Sequence, residues 1–189
     1  MLKEIVIPEN VTDIEDHAFS SNGKLESVVI NGPITELNEY TFSGCTNLKN
    51  ISLPDTLISI YGCCFHDCKS LNNIIFPKKL KYIGENILRG AYSLMAVAIP
   101  ESVEIIETPF KEGGLFIFCE ASEKPSGWAD GWDFNCTVKW NVSVIDIASI
   151  GGVIYAITEN YAIIASPPAD DSGYPSEVEY KGKKYTVIP

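Results

Sequence analysis

The sequence has no long hydrophobic run. Apolar stretches such as Leu115–Cys119 end after a few residues, whereas a helix that crosses a membrane needs about 20 consecutive apolar residues. We therefore expect no membrane insertion within this chain. With 189 residues and 46% hydrophobic content, the chain is long and apolar enough to bury a core, so we expect one domain, or a domain with an appendage, and not a disordered polymer.

Positive charge is also scarce. The chain has 14 lysines and arginines against 25 aspartates and glutamates, which gives a net charge of −11 at pH 7. A negative field of this size repels phosphate backbones and anionic lipid headgroups. We therefore expect no nucleic acid among the partners of this protein.

Catalytic motifs are missing as well. His17 and His66 are the only histidines, and neither stands in a motif such as Gly-x-Ser-x-Gly or His-Glu-x-x-His. Asp130 and Asp133 lie close to tryptophans in the sequence, but the residues offer no assembled pair of acid and base. The sequence therefore predicts a protein that is not an enzyme and that needs no cofactor.

What the sequence does contain is a repeat of 23 residues. A leucine opens each unit, and a β-branched residue follows three positions later. The leucines are Leu2, Leu25, Leu48, Leu71 and Leu94, and the β-branched residues are Ile5, Val28, Ile51, Ile74 and Val97. Later in three of the units a small residue precedes a phenylalanine, at Ala18–Phe19, Thr41–Phe42 and Cys64–Phe65. Five units in one register indicate a repeat architecture.

Each unit predicts two short strands followed by a return segment. The apolar spacing from Leu48 to Leu53 ends at Pro54, whose nitrogen has no hydrogen for a sheet ladder. A second extended piece covers Leu57–Ile60, and the spacing around Phe65 is nearly helical. Because a unit this small cannot bury its apolar residues alone, the units must stack. The predicted fold class is a mainly β leucine-rich-repeat solenoid with short helical or 3-10 returns.

The unit pattern Leu-x-x-Val-x-Ile-Pro-x-x-Val-x-x-Ile-x-x-x-Ala-Phe-x-x-Cys resembles the BspA-type leucine-rich repeat of surface proteins from bacteria and some protozoa. We expect the array over residues 1–118, with a degenerate fifth unit at Pro109–Phe110. The resemblance implies recognition or adhesion at a cell surface, or a secreted location. The first residues of the chain carry no secretory signal pattern of their own.

Residues 119–142 resemble the Trp-rich closing unit that follows BspA-type arrays. This segment contains Trp128, Trp132 and Trp140 around a glycine-rich loop. The last open β edge and the last apolar layer of a solenoid need a cover, and large aromatic side chains supply one. We therefore expect these tryptophans to close the array.

The composition changes again, and we expect residues 143–189 to form a small antiparallel β appendage. Val153–Ile157 and Tyr161–Ala165 read as one hairpin, and Val178–Tyr180 and Tyr185–Val187 as another. The unit is too short to build its own core, so we expect it to dock against the Trp-bearing end of the array or to pair with a following array. In the family such an ending resembles the lead-in to a further array, and we expect the chain to be an excerpt of a longer surface protein.

The cysteines offer a metal site that the repeat register argues against. Cys63–Cys68 contains three thiols and an imidazole, which are donors enough for zinc. Cys64 and Cys68 fall on inward positions of the solenoid, so the donors cannot converge, and we expect no metal. Cys119 and Cys136 lie on consecutive predicted strands, which favours free buried thiols and leaves a disulfide open if the protein is secreted.

A ligand surface is expected where alternate strand positions face solvent. The first outward row is Val6, Val29, Ser52, Ile75 and Ala98, and the second is Glu4, Ser27, Asn50, Asn73 and Ala96. Four of the five residues in the first row are apolar, which favours a contact surface, although strand propensity explains the same residues. The first row, together with Asn50 and Asn73, is the candidate site for a protein ligand such as a host or matrix protein.

Two other functions stay open at this point. The first is an architectural spacer, whose repeats hold other domains of a larger surface protein apart. The second is carbohydrate binding at Trp128 and Trp132, because sugars stack on indole rings.

Overall fold

The computed structural model describes residues 2–110, 114–165 and 174–188. Within these three ranges it contains fifteen β-strands and no helix, so none of the described residues lies in a helix that crosses a membrane. The strands are β1 (Glu4–Ile7), β2 (Ser27–Ile30), β3 (Glu36–Leu37), β4 (Asn50–Ser52), β5 (Ser59–Ile60), β6 (Tyr82–Ile83), β7 (Ala96–Ile99), β8 (Ile105–Ile106), β9 (Phe116–Cys119), β10 (Thr137–Trp140), β11 (Asp146–Ile150), β12 (Val153–Ile157), β13 (Tyr161–Ile164), β14 (Glu177–Tyr180) and β15 (Lys183–Ile188).

Two parallel sheets run along the stack of repeats. In the first sheet, β1, β2 and β4 pair so that each residue faces the one 23 positions further on, as Val28 does with Ile51. Isolated bridges at Asn73 and Ile75 continue this sheet to β7, which pairs in turn with β9 and β10. The second sheet has the order β3-β5-β6-β8 with the same spacing. The predicted solenoid of 23-residue units is therefore confirmed.

The return segments are turns, and not the short helices that their spacing predicts. Each return has two positions, four residues apart, with a positive φ between 54° and 79°. These pairs are His17 and Ser21, Tyr40 and Gly44, Cys63 and Asp67, and Asn86 and Gly90. A right-handed helix requires a negative φ at every residue, so each left-handed position ends the helical path.

Backbone hydrogen bonds join each return to the next one along the stack. The N–H of Phe19 donates to the carbonyl of Thr41 at 2.9 Å, and the N–H of Phe42 donates to the carbonyl of Cys64 at the same distance. Phe65 continues the series. The returns therefore form a third ladder of the solenoid, here called the return ladder.

We expect Gly44→Ala to lower the free energy of unfolding by about 1 kcal/mol, because Gly44 has a φ of 73° that a side chain makes unfavourable. Gly23 is the matched control. A Cβ added at either glycine comes 3.4 Å from a hydroxyl oxygen, of Ser21 for Gly44 and of Thr46 for Gly23, but only Gly44 has a left-handed backbone. Urea unfolding should show no loss for Gly23→Ala, and equal losses would contradict a conformational role for Gly44.

Side chains at equivalent positions stack into columns inside the solenoid. The rings of Phe19, Phe42 and Phe65 lie nearly parallel, with centroids 5.3 and 5.7 Å apart. In the leucine column, Leu48 is fully buried, whereas Leu2 in the first unit is 60% exposed. One continuous apolar cluster therefore runs through the array.

The same apolar cluster ends in a group of aromatic rings. Trp128 and Trp132 are buried, and their ring centroids lie 4.6 Å apart. Trp140 packs against both rings at 5.8 and 5.9 Å. The indole N–H of Trp128 donates to the carbonyl of Val103 at 3.1 Å, so its one polar atom is satisfied inside the core.

The C-terminal residues form a separate sheet with the strand order β11-β12-β13-β15-β14. Both predicted hairpins are present, as the antiparallel pairs β12 with β13 and β14 with β15. The sheet is not purely antiparallel as predicted, because β13 and β15 run parallel and the unpredicted β11 adds an edge. One face holds its own apolar cluster around Tyr155 and Ile157, which corrects the expectation that this unit is too short for a core.

The other face of this C-terminal sheet packs on the solenoid. Ala156 and Ile163 belong to one buried cluster with Ala96 and Phe118, which point outward from the first sheet. The C-terminal sheet therefore lies on the outward side of the first sheet. It contacts the C-terminal end of that sheet through Phe116 and Phe118, whereas the tryptophans pack into the end of the repeat core.

Candidate functional site

Outward residues of the first sheet form two rows along the solenoid, which we call the outer strand face. The first row is Val6, Val29, Ser52, Ile75, Ala98 and Phe118, and the second is Glu4, Ser27, Asn50, Asn73, Ala96 and Phe116. Val6 is 60% and Ile75 is 38% exposed. Ser52 and Asn50 are exposed, and Val29 and Ala98 are half-buried.

The C-terminal sheet divides the outer strand face into two parts. Towards its C-terminal end the face is covered, since Ala96 and Phe118 are completely buried beneath residues such as Val144 and Ile147. Ala98 packs at the edge of the same cluster. The remaining part, here called the open strand face, consists of Val6, Val29, Ser52, Ile75, Glu4, Ser27 and Asn50.

Asn73 joins the open and the covered part through polar contacts. Its Nδ2 donates to Asp146 Oδ1 and to the carbonyl of Ile147, both at 3.4 Å. Asp146 also accepts hydrogen bonds from the Tyr180 hydroxyl at 2.6 Å and from Lys181 Nζ at 2.9 Å. Burial raises the pKa of Asp146, but these hydrogen bonds and the charge of Lys181 outweigh it, so the pKa lies below its ordinary value. The charged carboxylate therefore holds the β14–β15 hairpin to β11.

A groove of about 260 Å³ lies where the open strand face meets the segment that leads to β11. Ile75 and Ile145 line it, and Glu120 stands among its lining residues. Glu120 accepts hydrogen bonds from Lys78 Nζ and from Ser143 Oγ. Burial raises the pKa of Glu120, but these bonds outweigh it and leave the pKa below its ordinary value. The charges of Lys78 and Glu120 cancel each other. The groove therefore adds a mainly apolar surface to the open strand face.

The two tryptophans of the carbohydrate alternative are not available to a ligand. Trp128 is 3% and Trp132 is 2% exposed. Neither indole offers a free ring face on which a sugar can stack. The structure therefore does not support carbohydrate binding at these residues.

The Cys63–Cys68 segment does not converge on a metal site. Cys64 and Cys68 are fully buried, and Cys68 Sγ lies 3.2 Å from the carbonyl of Phe42, to which it donates. Burial raises the pKa of both thiols. Across residues 2–110, 114–165 and 174–188, no group of three or more His, Cys, Asp or Glu side chains is placed to hold a metal ion.

Cys119 is the last residue of β9, whereas Cys136 directly precedes the adjacent strand β10, at its opposite end. The register pairs Cys119 with Trp140, whereas Cys136 precedes Thr137, which faces Phe116. Four residues along a strand correspond to about 13 Å, which is far beyond the reach of a disulfide. Both cysteines are free thiols. The sequence left free thiols and a disulfide open, and the structure has the free thiols.

We expect the six thiols to fall into two reactivity classes at pH 8. Cys63 and Cys136 are partly exposed, and the others are buried. Burial raises the pKa of Cys45 to about 11 and that of Cys119 to about 12, so these thiols hold almost no reactive thiolate. A disulfide reagent such as DTNB should modify at most two thiols in the native protein and six after unfolding. Rapid reaction of four or more native thiols would contradict this burial.

Sequence reasoning missed the residues that the C-terminal sheet covers. Phe116 and Phe118 alternate with Ile117 on β9, so this strand is apolar on both sides. The second outward row also changes from Asn73 to Ala96 between the fourth and fifth units. A strand that is apolar on both sides indicates a cover on both faces, and this pattern identifies the covered region.

Comparisons with known proteins agree with this architecture. The model of the BspA type leucine rich repeat region matches residues 1–112 in six copies. No curated protein matches the chain. The crystal structure of the T. pallidum leucine rich repeat protein TpLRR is 28% identical with a TM-score of 0.64, over 74% of this chain and 70% of that chain.

A leucine-rich repeat protein from Bacteroides ovatus is 32% identical with a TM-score of 0.63, over 73% of this chain and 37% of that protein. This chain therefore spans well under half of the B. ovatus protein. The pneumococcal vaccine antigen PcpA has a TM-score of 0.54 at 16% identity, over 75% of this chain and 42% of that chain, and shows a shared fold alone. Because the repeat model matches more than half of its residues, this chain belongs to the BspA-type leucine-rich repeat family.

Proposed function

We propose that this protein is a non-catalytic recognition module that binds a protein ligand through the open strand face. The observation that carries the proposal is the exposure of Val6 and Ile75, at 60% and 38%, in a row of the first sheet whose C-terminal end is already covered. Large apolar side chains that stand in line on an exposed sheet are typical of a contact surface.

The backbone beneath this surface is fixed before any ligand arrives. Ladder hydrogen bonds hold β1, β2 and β4 in register, so the side chains of the open strand face keep their spacing. A preorganised surface loses little conformational entropy on binding. Solenoids bind partners through extended faces of this kind.

Val6, Val29 and Ile75 are the proposed anchor residues, with Asn50 and Ser52 as polar contacts between them. A few well-buried side chains usually provide most of the binding energy of an interface. The family resemblance implies a cell-surface or secreted location, and a host or matrix protein is the proposed ligand class.

The double variant Val6→Lys/Val29→Lys tests this proposal. Wild type and variant are passed over immobilised purified extracellular matrix proteins, and affinities are measured by surface plasmon resonance. We expect a wild-type ligand to bind the variant at least tenfold more weakly, because two charges would be desolvated in the interface. Tyr92→Lys/Phe134→Lys is the matched control, because it adds the same two charges at residues that are 66% and 55% exposed but lie outside the outer strand face.

Two results would contradict the proposal. If Tyr92→Lys/Phe134→Lys weakens binding as much as Val6→Lys/Val29→Lys, the loss comes from added charge and not from the open strand face. If no matrix protein binds the wild type, the spacer function becomes the better explanation. Thermal unfolding of each variant checks that the repeats remain folded.

A further inference from the structure

The second sheet also presents an outward surface, on a different side of the solenoid from the open strand face. Its exposed part, here called the tyrosine face, consists of Ile58, Tyr61, Tyr82 and Ile105. Ile58 is 42% and Ile105 is 46% exposed. The rings of Tyr61 and Tyr82 lie 5.4 Å apart at an interplanar angle of 47°. Ile105 faces Tyr82 in the sheet register, so aromatic and aliphatic side chains lie side by side on this face.

Carboxylates outnumber basic side chains along the second sheet and the corner that follows it. This side, with the equivalent positions of the first unit, comprises residues 12–17, 35–40, 58–63, 81–86 and 104–107. Its acidic residues are Asp13, Glu15, Asp16, Glu36, Glu39, Glu85, Glu104 and Glu107, and its basic residue is Lys81. The whole chain has 14 lysines and arginines for its 25 acidic residues, so this side is far more negative than the average surface. Lys81, next to Tyr82, is already paired with Glu104 at 2.6 Å.

The negative charge acts directly on Tyr82. Burial, a hydrogen bond to Glu107 and the nearby charges of Glu107 and Glu85 raise the pKa of Tyr82 to about 12. At the same corner the ring of His17 stacks on Tyr40 at 4.7 Å. Aromatic faces beside carboxylates attract cations through two mechanisms at once, the ring quadrupole and the opposite charge.

We propose that the tyrosine face binds a basic segment of a partner polypeptide. Lysine or arginine side chains of the partner would lie on the rings of Tyr61 and Tyr82 and pair with Glu85 and Glu107. Charge complementarity selects this occupant, because Glu85 and Glu107 would repel an acidic segment, and a neutral segment would gain nothing from their charges. The proposal uses another side of the solenoid, so it does not depend on ligand binding by the open strand face.

Fluorescence anisotropy with two labelled decapeptides tests the proposal. One peptide alternates arginine with glycine, and in the other glutamine replaces each arginine. We expect the arginine peptide to bind the wild type at low salt and the glutamine peptide not to bind. Two double variants, Glu85→Gln/Glu107→Gln and Tyr61→Leu/Tyr82→Leu, should each weaken binding at least fivefold.

The matched control is Glu123→Gln/Glu179→Gln, which changes the net charge by the same two units outside the second sheet. This control should change the affinity less than twofold. If it weakens binding as much as Glu85→Gln/Glu107→Gln, the peptide senses only the overall charge of −11, and the proposal is wrong. The proposal is also wrong if the tyrosine variant binds as tightly as the wild type while its thermal unfolding is unchanged.

Discussion

Replacement of Leu48 by alanine should lower the free energy of unfolding by roughly 2 to 5 kcal/mol. Leu48 is fully buried, and Leu25 and Leu71 occupy the same position in the units on either side. Each leucine of this column therefore packs against two neighbouring layers. Because the layers are rigid, the space left by the missing carbons cannot close completely. Urea unfolding followed by far-UV circular dichroism measures the loss.

Leu2→Ala provides the matched comparison, because Leu2 has the same place in the first unit but is 60% exposed. We expect this substitution to cost well under about 1 kcal/mol, since little apolar surface is returned to water. Equal losses for Leu2→Ala and Leu48→Ala would contradict a stacked column. A repeat protein with nearest-neighbour coupling should show the larger loss in the middle of its array.

Phe118→Ala should destabilise the docked C-terminal sheet by roughly 3 to 5 kcal/mol. Phe118 points outward from β9, yet it is completely buried beneath Val144 and Ile147. Truncation of this ring removes the largest fully buried side chain of the cluster between solenoid and C-terminal sheet. In hydrogen exchange, the amides of β11 and β13 should exchange much faster in the variant, whereas those of β2 and β4 should keep their protection.

Phe42→Ala is the control for this experiment, because Phe42 is equally buried but lies in the repeat core. It should weaken the protection of β2 and β4 directly. If Phe118→Ala instead lowers protection uniformly over both regions, the C-terminal sheet is an integral part of the solenoid and does not open separately. In the wild type we expect the C-terminal sheet to exchange before β2 and β4.

The repeats were predictable because their information is local and periodic. Positions such as Leu48 and Ile51 recur every 23 residues. Only stacking of the units turns the equivalent side chains of all units towards one common core. The return was misjudged for a different reason. The spacing around Phe65 fits a helix, but Cys63 and Asp67 have left-handed backbones. Cysteine does not indicate this conformation in a sequence, whereas Asp67 and its equivalents Gly44 and Gly90 favour it, and the apolar spacing outweighed that signal.

The candidate site was predictable only in part. Strand alternation places Val6, Val29 and Ile75 on one outward row, and the structure has the same row. The position of the C-terminal sheet depends on packing between Ile163 and Phe118, which are far apart in the sequence and belong to no repeat. Contacts of this kind depend on the complementary shapes of two surfaces, which no local sequence pattern describes. The sequence indicates the covered region only through β9, a strand that is apolar on both sides.

The sequence separation of hydrogen-bonded residues restricts which insertions the array can accept. In the regular units, before residue 108, backbone hydrogen bonds between units join residues 22 to 24 positions apart, as in Phe19 to Thr41, Glu26 to Lys3 and Asn31 to Ile7. Insertion of a single residue changes the separation of every bonded pair that spans it, whereas duplication of one whole unit recreates the same bonds. Because the C-terminal sheet covers only the end of the array, duplication of an early unit adds about 4.8 Å of exposed sheet and two outward side chains. Unequal recombination can therefore lengthen the recognition surface stepwise without disturbing the docked sheet.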